Sequence, residues 1–431
     1  MPNTPDQTNL PDQTNPPDQP NTPDQQPNPP DQPNPPAQPN TPDQQPHRAR
    51  HHPNPHPHPS PRPHPRKAAG GRVVVLGGGY AGMMAALRLA PYARVTLVDP
   101  GDRLTERVRL HEVAAGRPEV AHSRAELLRG TGVEHLAARA TALDPDARAV
   151  HTDRGRTLLY DRLVYALGSH TDPRGAGRRS FTAETATALH QRLLTGPGGA
   201  LAVVGGGLTG IEMAAELAEA HPEWEIRLLT AGELGPGLSA RGRAHVRTVL
   251  DRLRVRVTEG RRVADADDLD ADAVVWTAAL RATGDLARDA GLDTDPATGR
   301  IRVDAALRSV SHPDVYVAGD AAESRSPRGG TLRMACATAL PTGAHAAGGI
   351  IAELRGRQPR PLSFSYFVQC VSLGRHDALI QSLRADDTPR ETVLTGRPAA
   401  HVKEQVVRST RHLLTLTARH PAAVRLIPNF R

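Results

Sequence analysis

The sequence predicts an α/β protein with two Rossmann-type dinucleotide-binding sheets, a small α+β region after them and a disordered segment before them. Two matching strand–glycine–helix units, one opening at Arg72 and one at Leu201, carry the first part of that expectation. The composition of residues 1–68 carries the last.

Most of the 41 prolines of the 431-residue chain fall in residues 1–68, in a near-repeat of Pro, Asn, Asp and Gln. Met1 apart, Leu10 is the one aliphatic residue there larger than alanine, so little apolar surface offsets the entropy of ordering that backbone. A disordered tail of polyproline II character is expected. Its short period is no solenoid repeat, since those run to ~20–50 residues and carry an apolar face of their own. From His47 to Lys67, His47, His51, His52, His56, His58 and His64 are interleaved with proline and arginine. Extended backbone scatters these imidazoles, which favours a solvated linker over a metal site.

The tail's six Asp nearly balance its four Arg and one Lys, so the net charge of +7 rests on the remainder. No block of like charge or aromatic interleaving marks a nucleic-acid face there. No apolar run follows the first residues as a signal peptide requires, and no stretch reaches the ~18 apolar residues of a membrane span. The two cysteines, Cys336 and Cys370, stand far apart and offer no disulfide framework, so a cytoplasmic location is expected.

The folded part opens on Arg72-Val73-Val74-Val75-Leu76, an apolar run suited to a strand buried on both faces of a parallel sheet. Gly77-Gly78-Gly79-Tyr80-Ala81-Gly82 follows at once and fits GxGxxG, and Met83 to Ala90 continues as a helix that stops before Pro91. Gly77 serves the tight turn, Gly79 the approach of backbone to a pyrophosphate, and Gly82 the close packing of helix on strand. The helix N-terminus then faces the phosphates. Alone the motif is weak. Here the next strand, from Arg94 to Val98, ends in Asp99 about 20 residues on, where an acid binds a ribose.

The same grammar returns at Leu201-Ala202-Val203-Val204, with Gly205, Gly207 and Gly210 in the glycine positions and a helix from Ile211 to Ala220. Two such folds imply two nucleotides, FAD and a nicotinamide, one carrying reducing equivalents in and the other holding them. After the second strand, Glu225 to Leu229, Thr230 stands where the ribose acid belongs. Glu233 could substitute for it, or Arg241 or Arg243 could meet a 2′-phosphate, so NADH and NADPH both stay open with a lean to NADH.

With both motifs in place, the chain resembles the two-dinucleotide-binding flavoproteins, within them the type II NADH dehydrogenase-like branch. Three further segments carry the resemblance: Tyr160 to Ser169 and Asp272 to Ala278, similar to that family's crossover strands, and His312 to Asp320, similar to its second FAD motif. The resemblance implies that Gly319 and Asp320 bind the ribitol and phosphate region of FAD. It also implies an FAD domain split over residues 69–180 and 296–358, an NAD(P) domain inserted at 181–295, and a C-terminal interface region at 359–431 that could form a homodimer.

On the same grounds Glu212, two residues past Gly210, is the carboxylate that orients the nicotinamide, unless it is merely an acid favoured by a helix N-terminus. Arg109 and His111 lie where the family chain passes the flavin; they could orient an acceptor or belong to a solvated surface helix. A CxxxxC or CxxC pair is absent, so electrons are expected to leave FAD directly for a quinone-like or other small-molecule acceptor. Cys336 is expected to be a packing residue. Relatives carry glutamines lining a quinone site where Ala337 and Pro341 stand here. His401 to His412 is expected as a helix with Val402, Val406 and Leu413 on one face, packed on the FAD domain in preference to a membrane. The competing reading is a nucleotide-binding sensor or adaptor with little turnover.

Overall fold

The computed structural model describes residues 71–328, 330–423, 427, 429 and 430. The expected disordered tail lies outside the described residues. The first apolar run forms β1 (Arg72–Leu76), and after the glycine turn α1 (Tyr80–Leu89) begins three residues before the expected Met83. Met83, Met84, Leu87 and Leu89 are fully buried, so α1 is apolar all round and must be covered on both sides. Then come β2 (Arg94–Val98), the short helix α2 (Leu110–Ala114), β3 (Glu134–Leu136) and β4 (Arg162–Tyr165).

The second unit follows as β5 (Ser180–Phe181), β6 (Gly199–Val204), α3 (Leu208–Ala220), β7 (Trp224–Leu229), α4 (Ala240–Arg252), β8 (Arg256–Thr258) and β9 (Ala273–Trp276). The chain then returns through β10 (Val315–Val317) and α5 (Cys336–Glu353). It closes with β11 (Val368–Ser372), β12 (Ala378–Leu383), β13 (Pro389–Thr395) and α6 (Gly396–Arg419).

Two five-stranded parallel sheets result, ordered β10-β4-β1-β2-β3 and β5-β9-β6-β7-β8. In each, the glycine-bearing strand is central, with its successor on one side and a later strand on the other. Their runs of Val, Leu and Ile, rather than alternation, reflect burial on both faces. Ser169–Thr171, leaving the first sheet, pairs antiparallel with Leu280–Ala282, returning to it, so the chain crosses between sheets on paired strands.

The C-terminal sheet, β11-β12-β13, is antiparallel. Its Val371, Leu373 and Leu379 join the core of the second sheet with Ile211, Ala214 and Val246. Helix α6 reaches the other way. It is longer than the expected 401–412 segment, and its buried residues are Ala399, Val407, Leu414 and Thr417. Leu414 sits in the core of the first sheet beside α1, while Val402 and Val406 are exposed. The helix therefore packs on the first unit as expected, but of the expected stripe only Leu413 joins that packing. The inward face carries Leu414, in the core around α1, and Thr417, whose hydroxyl meets Met84 Sδ at 3.7 Å. Among the described residues no helix is long and apolar enough to cross a membrane.

Candidate functional site

The first glycine turn is built by exclusion. Gly77 has φ +94, a conformation that side chains rarely adopt, and a Cβ there would strike the Ala166 carbonyl. A Cβ on Gly82 would strike the Gly77 carbonyl, which locks the helix onto the turn. Gly79 differs: nothing lies within 4 Å of its Cβ position, so the backbone faces open space. Helix α1 starts there with no side-chain cap, leaving its first amides for a ligand.

Asp99 closes the turn. Its Oδ2 accepts from the Gly78 amide at 2.6 Å and its Oδ1 from Arg124 Nη1 at 2.7 Å. Arg124, 2 % exposed, also donates to the carbonyls of Gly78 and Gly101. Nothing in the sequence marked this arginine, because its partners lie 11 to 46 residues away.

Asp320 reaches the same place from the far end of the chain. Gly319, at φ +69, abuts Ala81 of α1, and its amide donates to Thr342 Oγ1 at 2.9 Å. Ser169 Oγ donates to Asp320 Oδ2 at 2.6 Å, whereas Oδ1 is buried without a hydrogen-bond partner. Such an orphan is expensive unless a ligand donor meets it. Open space at Gly79, an uncapped helix and an orphaned carboxylate oxygen together suit the pyrophosphate and the hydroxyl-rich ribitol of FAD.

The second turn repeats the first. Gly205 has φ +128 and is pressed against Thr277, a Cβ on Gly210 would strike the Gly205 carbonyl, and Gly207 again faces open space. Thr230 packs its hydroxyl against Gly206 and is buried.

Glu212, on the first turns of α3, gathers residues from three elements. Its Oε1 accepts from Lys403 Nζ of α6 at 2.6 Å and from the Ser372 amide of β11 at 3.0 Å. Burial alone would raise this carboxyl, but the Lys403 ammonium, with the Ser372 amide, holds it below its ordinary value. One turn on, Glu216 is 2 % exposed, has no partner for Oε2, and burial pushes it up to about 7. One helix thus carries a carboxyl held charged and, one turn on, a carboxyl whose titration is moved up toward neutral pH.

Arg109 and His111 do not belong to a solvated helix; both are buried. Arg109 donates to Glu106 at 2.7 Å, Glu112 at 3.0 Å and Glu404 at 3.0 Å, so it ties this segment to α6 and is committed to structure. His111 Nδ1 lies 4.0 Å from Glu212 Oε2, its Nε2 is unpartnered, and burial pushes it down to about 4, which leaves the ring neutral. Cys336, at the start of α5, is exposed and so is not the expected packing residue. Burial pushes the Cys370 thiol up to about 11, and both thiols are free. Pro341 lies buried inside α5, where it cannot bond the Ala337 carbonyl; Ala337 is exposed.

The pyridine nucleotide-disulphide oxidoreductase family matches residues 71–343. The NADH dehydrogenase-like protein MT1860 of Mycobacterium tuberculosis is 29% identical over 380 residues, which span 78% of this chain and 92% of that protein. The demethylphylloquinone reductase NdbB of Synechocystis is 28% identical over 352 residues, spanning 72% and 87%. Among solved structures, NDH2 from Plasmodium falciparum in complex with NADH superposes with a TM-score of 0.68 at 15% identity, covering 81% of this chain and 97% of that one, which speaks for the fold. With its two glycine-turn sheets and a family match over most of its length, the chain belongs to the pyridine nucleotide-disulphide oxidoreductase family, as an FAD-dependent oxidoreductase that uses NADH or NADPH.

Proposed function

We propose that this enzyme takes hydride from NAD(P)H onto FAD and hands the electrons directly to a quinone-like or other small acceptor, with no redox disulfide between. The observation that carries this reading is the pair of glycine turns whose Gly79 and Gly207 both face open space at the carboxyl ends of parallel strands. Gly77, Gly79, Gly82 and Asp99 would cradle the pyrophosphate and adenosine ribose of FAD, and Gly319 and Asp320 its ribitol. Gly205, Gly207 and Gly210 would seat the nicotinamide dinucleotide. The residues 181–295 form its domain, inserted between 69–180 and 296–358, with 359–431 closing the molecule. When bound, FAD supplies the redox chemistry, accepting two electrons as hydride and releasing them to the acceptor.

The chain's own work is positioning. Glu212, charged through Lys403, orients the nicotinamide ring, and neutral His111 beside it keeps that carboxylate's far oxygen free of a competing cation. The free thiols Cys336 and Cys370 support direct electron exit. The names of two relatives point to quinones: demethylphylloquinone reductase NdbB, and the alternative NAD(P)H-ubiquinone oxidoreductase C1 of Arabidopsis thaliana.

The test begins with purified protein under anaerobic conditions, whose yellow colour should bleach on adding NADH or NADPH. Turnover is then compared with short and long-tailed quinones, with and without anionic vesicles. Because Ala337 and Pro341 offer no side-chain donors, a short soluble quinone should serve at least as well as a long one. Protein that is colourless, or yellow and inert to both nicotinamides, overturns the reading.

A further inference from the structure

The two glycine folds differ at one chemically decisive place. In the first, the residue after the second strand is Asp99, whose carboxylate binds the Gly78 amide at 2.6 Å. In the second, the residue after β7 is Thr230, uncharged, 7 % exposed, and packed on Gly206. A carboxylate here accepts from the 2′-hydroxyl of the adenosine ribose and repels a 2′-phosphate; without it, neither effect operates.

The acids nearest this position are already engaged. Glu233, the sequence's substitute for the missing acid, is ion-paired with Arg243. Glu259 accepts from the Leu234 amide at 2.5 Å and from Arg247 at 2.6 Å, and Arg247 holds it below its usual value. The ground for NADH in the sequence is therefore spent on a neighbour. Arg243, one of the two arginines the sequence offered for NADPH, is spent in the same pair, and Arg241 is turned toward Glu391, which accepts from its backbone amide at 2.9 Å and feels its charge.

Arg261 and Arg262 remain. They follow β8, the neighbour of β7, and so lie at the carboxyl edge of the sheet, where dinucleotides bind. The Arg261 amide donates to the Thr230 carbonyl at 2.9 Å, which fixes this arginine against the residue that replaces the ribose acid. Both side chains are exposed and make no hydrogen bond or ion pair among the described residues. Two unpaired guanidiniums beside a neutral strand end form a site for a doubly charged phosphate, which an arginine fork meets with charge-assisted hydrogen bonds.

We propose that NADPH is the preferred nicotinamide substrate and that Arg261 and Arg262 bind its 2′-phosphate. This rests on reading the second fold as the nicotinamide site. Anaerobic stopped-flow reduction of the holoenzyme's flavin, over a concentration series of each nicotinamide, gives the limiting reduction rate, the Kd and their ratio for NADPH and for NADH. NADPH should be favoured by at least about tenfold, the scale of one charge-assisted hydrogen bond. The Arg261→Ala/Arg262→Ala variant should lower the NADPH-to-NADH ratio by about tenfold to a hundredfold, chiefly through the Kd for NADPH, and Arg261→Lys/Arg262→Lys should restore part of it. A ratio is insensitive to loss of folded protein. A direct readout is protection of the free enzyme by 2′-phosphorylated adenosine ribose: 2′,5′-ADP should compete with NADPH far better than 5′-ADP does. If NADH reduces the flavin as well as NADPH, or the alanine pair leaves the ratio unchanged, the proposal falls while the dehydrogenase reading stands. If neither nicotinamide reduces the flavin, that reading falls as well.

Discussion

Glu216 predicts a measurable pH dependence of stability. The perturbation is Glu216→Gln, which keeps the shape of the side chain and removes its charge. In the folded protein burial lifts this carboxyl from 4.5 to about 7, with Glu112 adding to the effect and Arg117 opposing it. The folded state therefore binds the proton more tightly than the unfolded chain does. Its contribution to stability is present in full below pH 4.5 and is lost as pH rises through 7. Each tenfold difference in proton affinity is roughly 1.4 kcal/mol, so about 3 kcal/mol is at stake. The side chain is 2 % exposed, so little of this is screened by solvent. Urea unfolding of wild type and variant at pH 5, 6, 7 and 8 supplies the test, since other titrating groups cancel in the difference. At pH 5 the glutamine variant should be the more stable by no more than about 1 kcal/mol; at pH 8 it should be the more stable by about 3 kcal/mol. A difference that stays flat from pH 5 to 8, or a variant less stable at pH 8, refutes the reasoning.

Three other outcomes follow from the geometry. Gly79→Ala has room in the empty turn and an ordinary φ of −74, so it should fold normally yet retain less FAD, by about 1–3 kcal/mol of lost binding; Asp320→Ala should do the same, and equal flavin content in both would contradict the cradle. Gly207→Val should abolish flavin reduction by NAD(P)H while dithionite still reduces it, and normal reduction would move the nicotinamide site. Lys403→Met strands the Glu212 carboxylate, both side chains being less than a fifth exposed, and should cost about 3–5 kcal/mol of stability, most of it recovered in Lys403→Met/Glu212→Gln; a single variant as stable as wild type would show the pair to be idle.

The parts of this molecule that were legible in the sequence are those whose logic is local. Val73 to Leu76 and Leu201 to Val204 declare buried parallel strands, and each glycine's place relative to them declares its steric task. Asp99 was readable because the distance from Gly78 to the end of the next strand is fixed by one helix and one strand. The unread parts depend on contacts between distant segments. Lys403 meets Glu212 across 191 residues, Ser169 meets Asp320 across 151, and Arg109 is buried because Glu404 comes from the last helix to meet it. No periodicity records such meetings. The Val402–Val406 stripe misled for a related reason: the face of α6 that is buried, with Ala399, Val407, Leu414 and Thr417, is the one that meets distant segments such as Met84 of α1, not the most apolar stripe of the helix itself.

Helices α1 and α5 touch where Gly343 lies on the Ala81 backbone, closer than any side chain would permit. Ala81 stands in the first turn of α1, beside the glycine turn proposed to face the pyrophosphate, and α5 begins at Cys336. With Gly319 also wedged against Ala81, the three segments behave as one stiff bracket. A clamp of this kind has no half-closed position. Slackening at either jaw would release its whole cargo, so damaged or aged protein should divide into fully loaded and fully empty molecules, with few carrying a loosely held cofactor.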